Sequence, residues 1–223
     1  MNNLIKRFSI YIIGLFIMSI GIAFSVKSNL GVSPVSSIPY TITLITGLEM
    51  GKATIVFHIF LIILQILILR NDFDKKNLLQ LFVAFIFGYF TTFSNYLLSF
   101  VPPLQNYIIK LVFLLISILC VGIWIFLYMS GDIIPLAGEG VMYAVSTKYS
   151  KDFSKVKICF DVSMVVISSI TCIIFIHNLG SVREGTIISS ILVGSVLGIV
   201  TKMYKDKLDN FLTSGNSQLT INN

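Results

Sequence analysis

The sequence predicts an all-α polytopic membrane helix bundle with about six spans, two short broken segments and two pseudo-symmetric halves of inverted orientation. Three observations carry this expectation. The chain of 223 residues is 56% hydrophobic and only 12% charged, about half the charge of a soluble domain, and its mean hydropathy is +0.92. Apolar runs recur at 8–26, 53–69, 78–100, 107–129, 156–176 and 185–203, most of them near the ~20 residues that a helix needs to cross hydrocarbon. The basic residues stand in short groups between the runs, as they do where loop charge sets membrane orientation. The net charge of +6 is therefore no argument for nucleic acid.

In chain order, Lys6 and Arg7 precede the first apolar run. A signal peptide starts this way, but no clear small-x-small cleavage site follows, and the run is expected to be a retained first span. The segment 31–47 is too short and too rich in Ser and Pro to be an ordinary span. Ser33 followed by Pro34 marks a helix start, with Ser at the N-cap and Pro in the first turn. The open N–H groups of that turn, with the hydroxyls of Ser36 and Ser37, make an anion-binding arrangement if they face a cavity. The second broken segment, 133–147, carries Pro135 and then Glu139 between Gly138 and Gly140. Non-helical backbone at membrane depth survives only where protein or a water-filled cavity shields it, and an acidic residue there is a functional candidate. A solvated loop is the alternative. Cys120, Cys159 and Cys172 lie in apolar runs without paired spacing and are expected to pack in the core. Residues 1–204 form one transmembrane domain, and 205–223 a polar tail expected to be disordered toward its end.

Residues 21–34 can be laid on 122–135, 51–58 on 154–161 and 85–88 on 191–194, in the same order. Such a repeat, with halves at about 8–100 and 107–203, gives each half one span, one broken segment and two further spans. If the broken segments do not cross, twelve Lys and Arg fall inside and four outside; if both cross, the split is eleven to five. The positive-inside rule favours the first arrangement, with both termini cytoplasmic and the halves inverted, as in many secondary transporters.

Of the ten acidic residues only Glu139 and Asp161 are placed well within apolar sequence, and His58 is the one histidine inside a span. The repeat makes His58 and Asp161 equivalent, which places both near the axis at mid-membrane, where a proton relay is feasible. A packed histidine, and an interfacial Asp161 paired with Lys157 one turn away, are the structural alternatives. Thr91, Thr92 and Asn95 share a helical face and are expected to line a path. Gly88, Gly194 and Gly198 are expected to let helices approach closely.

No catalytic constellation, metal-ligand cluster or cofactor motif stands out, so the expectation is no enzyme, no catalytic residues, no metal and no cofactor. Asn29-Leu30-Gly31-Val32-Ser33-Pro34, Gly51-Lys52, Lys157 with Asp161, and Gly185-Thr186-Ile187-Ile188 resemble the YczE/YyaS/YitT family of bacterial integral membrane proteins. The resemblance implies a multi-pass protein of a bacterial plasma membrane and transfers no functional residue. The expected partners are the lipid bilayer and a small solute, with a homo-oligomer allowed. A secondary carrier of a small, anionic, proton-coupled solute is the first functional expectation. A non-transporting scaffold or regulatory partner is the second.

Overall fold

The computed structural model describes residues 2–131 and 133–213. The described residues form eight α-helices: α1 (Asn2–Ser28), α2 (Pro34–Thr46), α3 (Met50–Leu69), α4 (Leu79–Ser99), α5 (Tyr107–Gly131), α6 (Ala137–Lys148), α7 (Phe153–Ile176) and α8 (Glu184–Thr213). Two 3-10 turns, Arg70–Asp72 and Lys75–Leu78, join α3 to α4. Six helices are long and apolar enough to cross a membrane; α2 and α6 are not among them. At 13 and 12 residues they measure about 20 Å and 18 Å, well under the hydrocarbon thickness of ~30 Å. α8 runs on into the polar tail, of which residues 214–223 lie outside the described residues.

Local chemistry sets these boundaries. Pro34, at the first position of α2, has no N–H to satisfy. α2 stops at Gly47, whose left-handed backbone (φ 72°) lets its N–H bond Thr43 O. The Asp152 side chain caps α7 by accepting from Lys155 N–H at 3.1 Å.

Contacts fix the helix directions. Phe16 meets Phe90 and Ser19 meets Ser94, so α1 and α4 are parallel. Tyr11 meets Tyr128 and Phe24 meets Phe113, so α1 and α5 are antiparallel. Gly51 lies against Gly88 and Gln65 bonds Gln80, so α3 and α4 are antiparallel. It follows that α3 runs opposite to α1, and that α2 between them does not cross. α5 and α8 are parallel, with Leu114 beside Gly185 and Gly122 beside Val196. α2 runs with α7 (Ser37 to Met164, Thr41 to Cys172). α6 runs with α3 (Ala137 to Gln65, Lys148 to Asp72).

Two groups of helices result. α1, α4, α5 and α8 pack together, with Tyr11, Leu15 and Trp124 buried at the centre. α2, α3, α6 and α7 pack together around Phe57, Leu61, Val141 and Met164. The groups are joined along α3 and α4. There the two backbones touch: a Cβ on Gly51 would overlap Gly88 O and Thr92 Oγ1, and one on Gly88 would overlap Ile55.

Two sequence expectations change here. Gly194 and Gly198 have nothing within 4 Å, because α8 turns Leu192, Val193 and Val196 toward α5 and its glycines outward. Cys159 is exposed while Cys172 is buried and Cys120 half-buried, since Cys159 sits on the outward face of α7. Gly51→Ala and Gly88→Ala should each destabilise the protein by about 1–3 kcal/mol through overpacking. Gly194→Ala and Gly198→Ala should leave stability unchanged or slightly raised. Thermal denaturation of the detergent-solubilised protein separates the two pairs.

Candidate functional site where two short helices begin

α2 and α6 both begin inside the bundle. Val35 and Ser37 lie level with the middles of α3 and α7, packed near Phe57, Leu61 and Met164. Ala137 and Gly138 begin α6 beside them: a Cβ on Gly138 would lie 3.5 Å from Val35 Cγ1. The two helices thus start against each other and run to opposite ends of the bundle. Their first-turn N–H groups, and the positive ends of both dipoles, point toward the bundle's mid-height.

The entry to α2 is sewn to the turn between α7 and α8. Gly31 takes φ 100°, and a Cβ there would meet Arg183 N and Thr186 Oγ1. Val32 N–H donates to Ser181 O at 3.1 Å and Gly185 N–H to Leu30 O at 2.7 Å. Ser33 is the N-cap residue, but its hydroxyl does not cap; it donates to Ser36 Oγ at 3.0 Å. Ser37 donates to Pro34 O at 2.6 Å and also approaches Met164 O at 3.3 Å. Its hydroxyl is therefore spent on holding α2 to α7 and is not free for a ligand. One turn on, the buried hydroxyls of Thr41, Ser168 and Ser181 lie 2.6–2.7 Å from one another, and Ser168 also donates to Ser37 O. This cluster closes that end of the α2–α7 pair.

The entry to α6 is held by Tyr11, whose hydroxyl donates to Ile134 O at 3.0 Å. Glu139 is the third residue of α6. It is half-buried as a residue, yet its Oε2 is sealed from solvent and has no hydrogen-bond partner. Asp161 on α7 also has a sealed, partnerless oxygen, Oδ1, while its Oδ2 accepts from Lys157 Nζ at 3.1 Å. Burial is the largest influence on Glu139 and pushes its carboxyl up to about 7. The N–H groups of Glu139 and Leu136 and the charge of Lys157 favour ionisation, and Asp161 opposes it. Glu139, Asp161 and Lys157 are thus within electrostatic reach of one another.

Beside Glu139 lies a polar tie that joins α3, α4 and α6. Gln65 Nε2 donates to Ala137 O at 3.1 Å and to Gln80 Oε1 at 2.9 Å. The backbone acceptor fixes which way the Gln65 amide points. Gln80 must then present its oxygen to Gln65, which leaves Gln80 Nε2 buried and unpartnered. Gln80 lines an open cavity of ≈ 630 Å³ that reaches Pro135 and Gly140 and has Asp72 and Lys148, 3.5 Å apart, among its lining residues. Gly140 is required here, since a Cβ would fall on the Gln65 amide.

The remaining sequence candidates lie elsewhere. His58 is buried and stacked on Phe87 at 5.6 Å, with Nδ1 unpartnered; it is not among the groups that act on Glu139. Asn95 donates to Thr91 O at 2.8 Å and borders a small cavity of ≈ 160 Å³ beside Lys27. Thr92 faces Gly51. Thr91 donates to Phe87 O in its own helix, and neither it nor Thr92 lines the cavity that Asn95 borders.

Comparison with known proteins assigns the chain to a family. The family of unknown function DUF6198 matches residues 5–202. The chain belongs to that family. It is also similar to the uncharacterised protein YyaS of Bacillus subtilis (strain 168), 26% identical over 195 residues that cover 86% of this chain and 91% of the relative. No solved structure matches. In this DUF6198 chain the Gln65–Gln80 tie and the Thr41–Ser168–Ser181 cluster escaped sequence reasoning. Glutamines inside spans were the available signal for the first; Ser181, in a turn, gave none.

Gly140→Ala should displace the Gln65 amide and destabilise the protein by about 1–3 kcal/mol. Gln65→Leu should remove the tie outright, and adding Gly140→Ala to it should cost much less than Gly140→Ala alone. A double-mutant cycle by thermal denaturation measures this coupling.

Proposed function

We propose that the protein is a secondary carrier of a small, anionic solute moved together with a proton, built from two inverted repeats. It lies in a bacterial plasma membrane with both termini cytoplasmic. The observation that carries this reading is the meeting of two short helices, N-terminus to N-terminus, at mid-height. Broken helices of this kind aim positive dipole ends at an anionic group near the midplane. Glu139 sets the coupling. Ionised, it fills the positive region itself and repels an anion; protonated, it leaves that region free for one.

The pairing of helices supports the repeat. α1 with α4 answers to α5 with α8, α2 with α7 to α6 with α3, and α2 with α3 to α6 with α7. In each exchange the helix directions invert. The cavity beside Gln80 supports access from the end at which α1 begins, since it reaches Gly140 at the start of α6. The hydroxyl cluster around Ser181 supports closure at the opposite end. A second reading, a membrane partner of another complex, has one observation in its favour: among the described residues a Cβ on Gly194 or Gly198 would meet nothing within 4 Å.

Protein reconstituted into vesicles with an internal pH dye should carry protons inward when a gradient of a transported small carboxylate or of phosphate is imposed. Glu139→Gln should insert and fold yet lose that proton movement. Undiminished proton movement by Glu139→Gln removes Glu139 from the mechanism. No proton movement by the unaltered protein with any of these anions contradicts the coupling.

A further inference from the structure

The two halves are not in the same state. α3 and α4 are closed on each other through Gly51, Gly88 and Thr92, with Ile55 over Gly88 and His58 stacked on Phe87. Their counterparts by the repeat are Ser154, Gly194 and Gly198, then Ile158, Asp161 and Val193. None of these pairs is made. Gly194 and Gly198 have nothing within 4 Å, and Ile158 is 64% exposed. Burial follows the same division. In the apolar windows of α3 and α4, 39% and 33% of residues are buried, against 17% and 11% in α7 and α8.

The unmade contact has matching chemistry. Where α3 offers a glycine to a threonine of α4, α7 offers a serine (Ser154) to a glycine of α8 (Gly198). One small hydroxyl side chain stands at each crossing, on opposite partners. Two backbones can approach there as they do at Gly51 and Gly88. One difference has consequences. The stacked pair His58–Phe87 is answered by Asp161 and Val193. Closing α7 on α8 would bury Asp161 against a valine, and no charged residue lies between Glu184 and Lys202 on α8. A buried carboxylate needs a partner.

We infer that the protein has a second state in which α7 closes on α8 through Gly194 and Gly198, and that Asp161 is the site at which a proton or small monovalent cation binds to permit it. The inference rests on the inverted-repeat reading above. Asp161 is suited to the role because it lies half-buried, keeps one oxygen sealed and unpartnered, and shares the other with Lys157. The charged groups facing it are Lys157 on its own helix and Glu139 on α6. α2, also packed on α7, carries no charged side chain, and its Tyr40 is influenced by Cys172 and Arg183. Closure would draw α7 from α6, and opening of α3 from α4 in exchange would give access from the other end.

Dipolar electron resonance between spin labels at Lys155→Cys and Lys202→Cys tests this in the full chain, with Cys120, Cys159 and Cys172 replaced by Ser and the protein in vesicles. Both label sites are exposed, Lys155 next to Ser154 and Lys202 one turn beyond Gly198, so their separation reports the crossing. Two distances are expected. If the ligand is a proton, the short-to-long ratio rises as pH falls, by up to about tenfold per pH unit, the limit for one proton. If it is a cation, the ratio rises when sodium replaces choline at constant pH. Asp161→Asn should favour the short distance in every condition. A single distance throughout, including in Asp161→Asn, overturns the inference. So does a ratio that ignores pH, sodium and Asp161→Asn alike. A short distance that disappears on dilution with unlabelled protein belongs to a contact between copies and also overturns it. The measurement reads helix separation, not solute movement, so its failure is separate from a failure of the carrier reading.

Discussion

A peptide N–H inside a bilayer has no water to bond, and leaving it unpaired costs several kcal/mol. Starting two helices at the middle of the bundle, α2 and α6, raises this cost twice over, because each helix start leaves up to four such groups open. Much of the surrounding sequence answers that constraint. Pro34 removes one donor from the first turn of α2. Val32 N–H, just before α2, is taken by Ser181 O. Glu139 brings a carboxyl to the first turn of α6. Gln65 and Tyr11 tie down the carbonyls of Ala137 and Ile134. What remains is the pair of positive helix ends at mid-height, with Glu139 in the first turn of α6, and the proposed carrier would use these.

The full-length helices hold the short ones in place, and backbone proximity does much of the holding. Between apolar helices in lipid there is little hydrophobic gain, so small residues and interhelical hydrogen bonds decide which pairs form. α3 and α4 use both, with Gly51 against Gly88 at one end and Gln65 bonded to Gln80 at the other. The α3–α4 seam joins the two helix groups. Among the described residues α7 and α8 make no comparable seam.

The fold was legible because length and hydropathy speak directly to bilayer thickness. Six spans and two short helices followed from runs of apolar residues broken at Pro34 and Pro135. The site was legible in part. Glu139 and Asp161 stand out because carboxyls are rare in apolar sequence, and they lie within electrostatic reach of each other. His58 carried the same signal, yet it packs as a ring stacked on Phe87; rarity marks an ionisable group without saying which neighbour it faces. Whether Ser37 faces a ligand was not legible, because a hydroxyl at a helix start can bond its own turn instead, as Ser37 does with Pro34 O. The outward turn of Gly194 and Gly198 depends on which face of α8 meets α5, a rotation that a run with apolar residues on every side does not specify.

The account turns on the contact between the starts of α2 and α6. The paired substitution Val35→Cys and Gly138→Cys, with the three native cysteines replaced, reads it directly in native membranes. A Cβ on Gly138 would lie 3.5 Å from Val35 Cγ1, so mild oxidation should form a disulfide within one chain, and an impermeant thiol reagent should label neither cysteine rapidly from outside. Absence of that disulfide, with the two cysteines labelled readily from opposite sides of the membrane, would contradict the account.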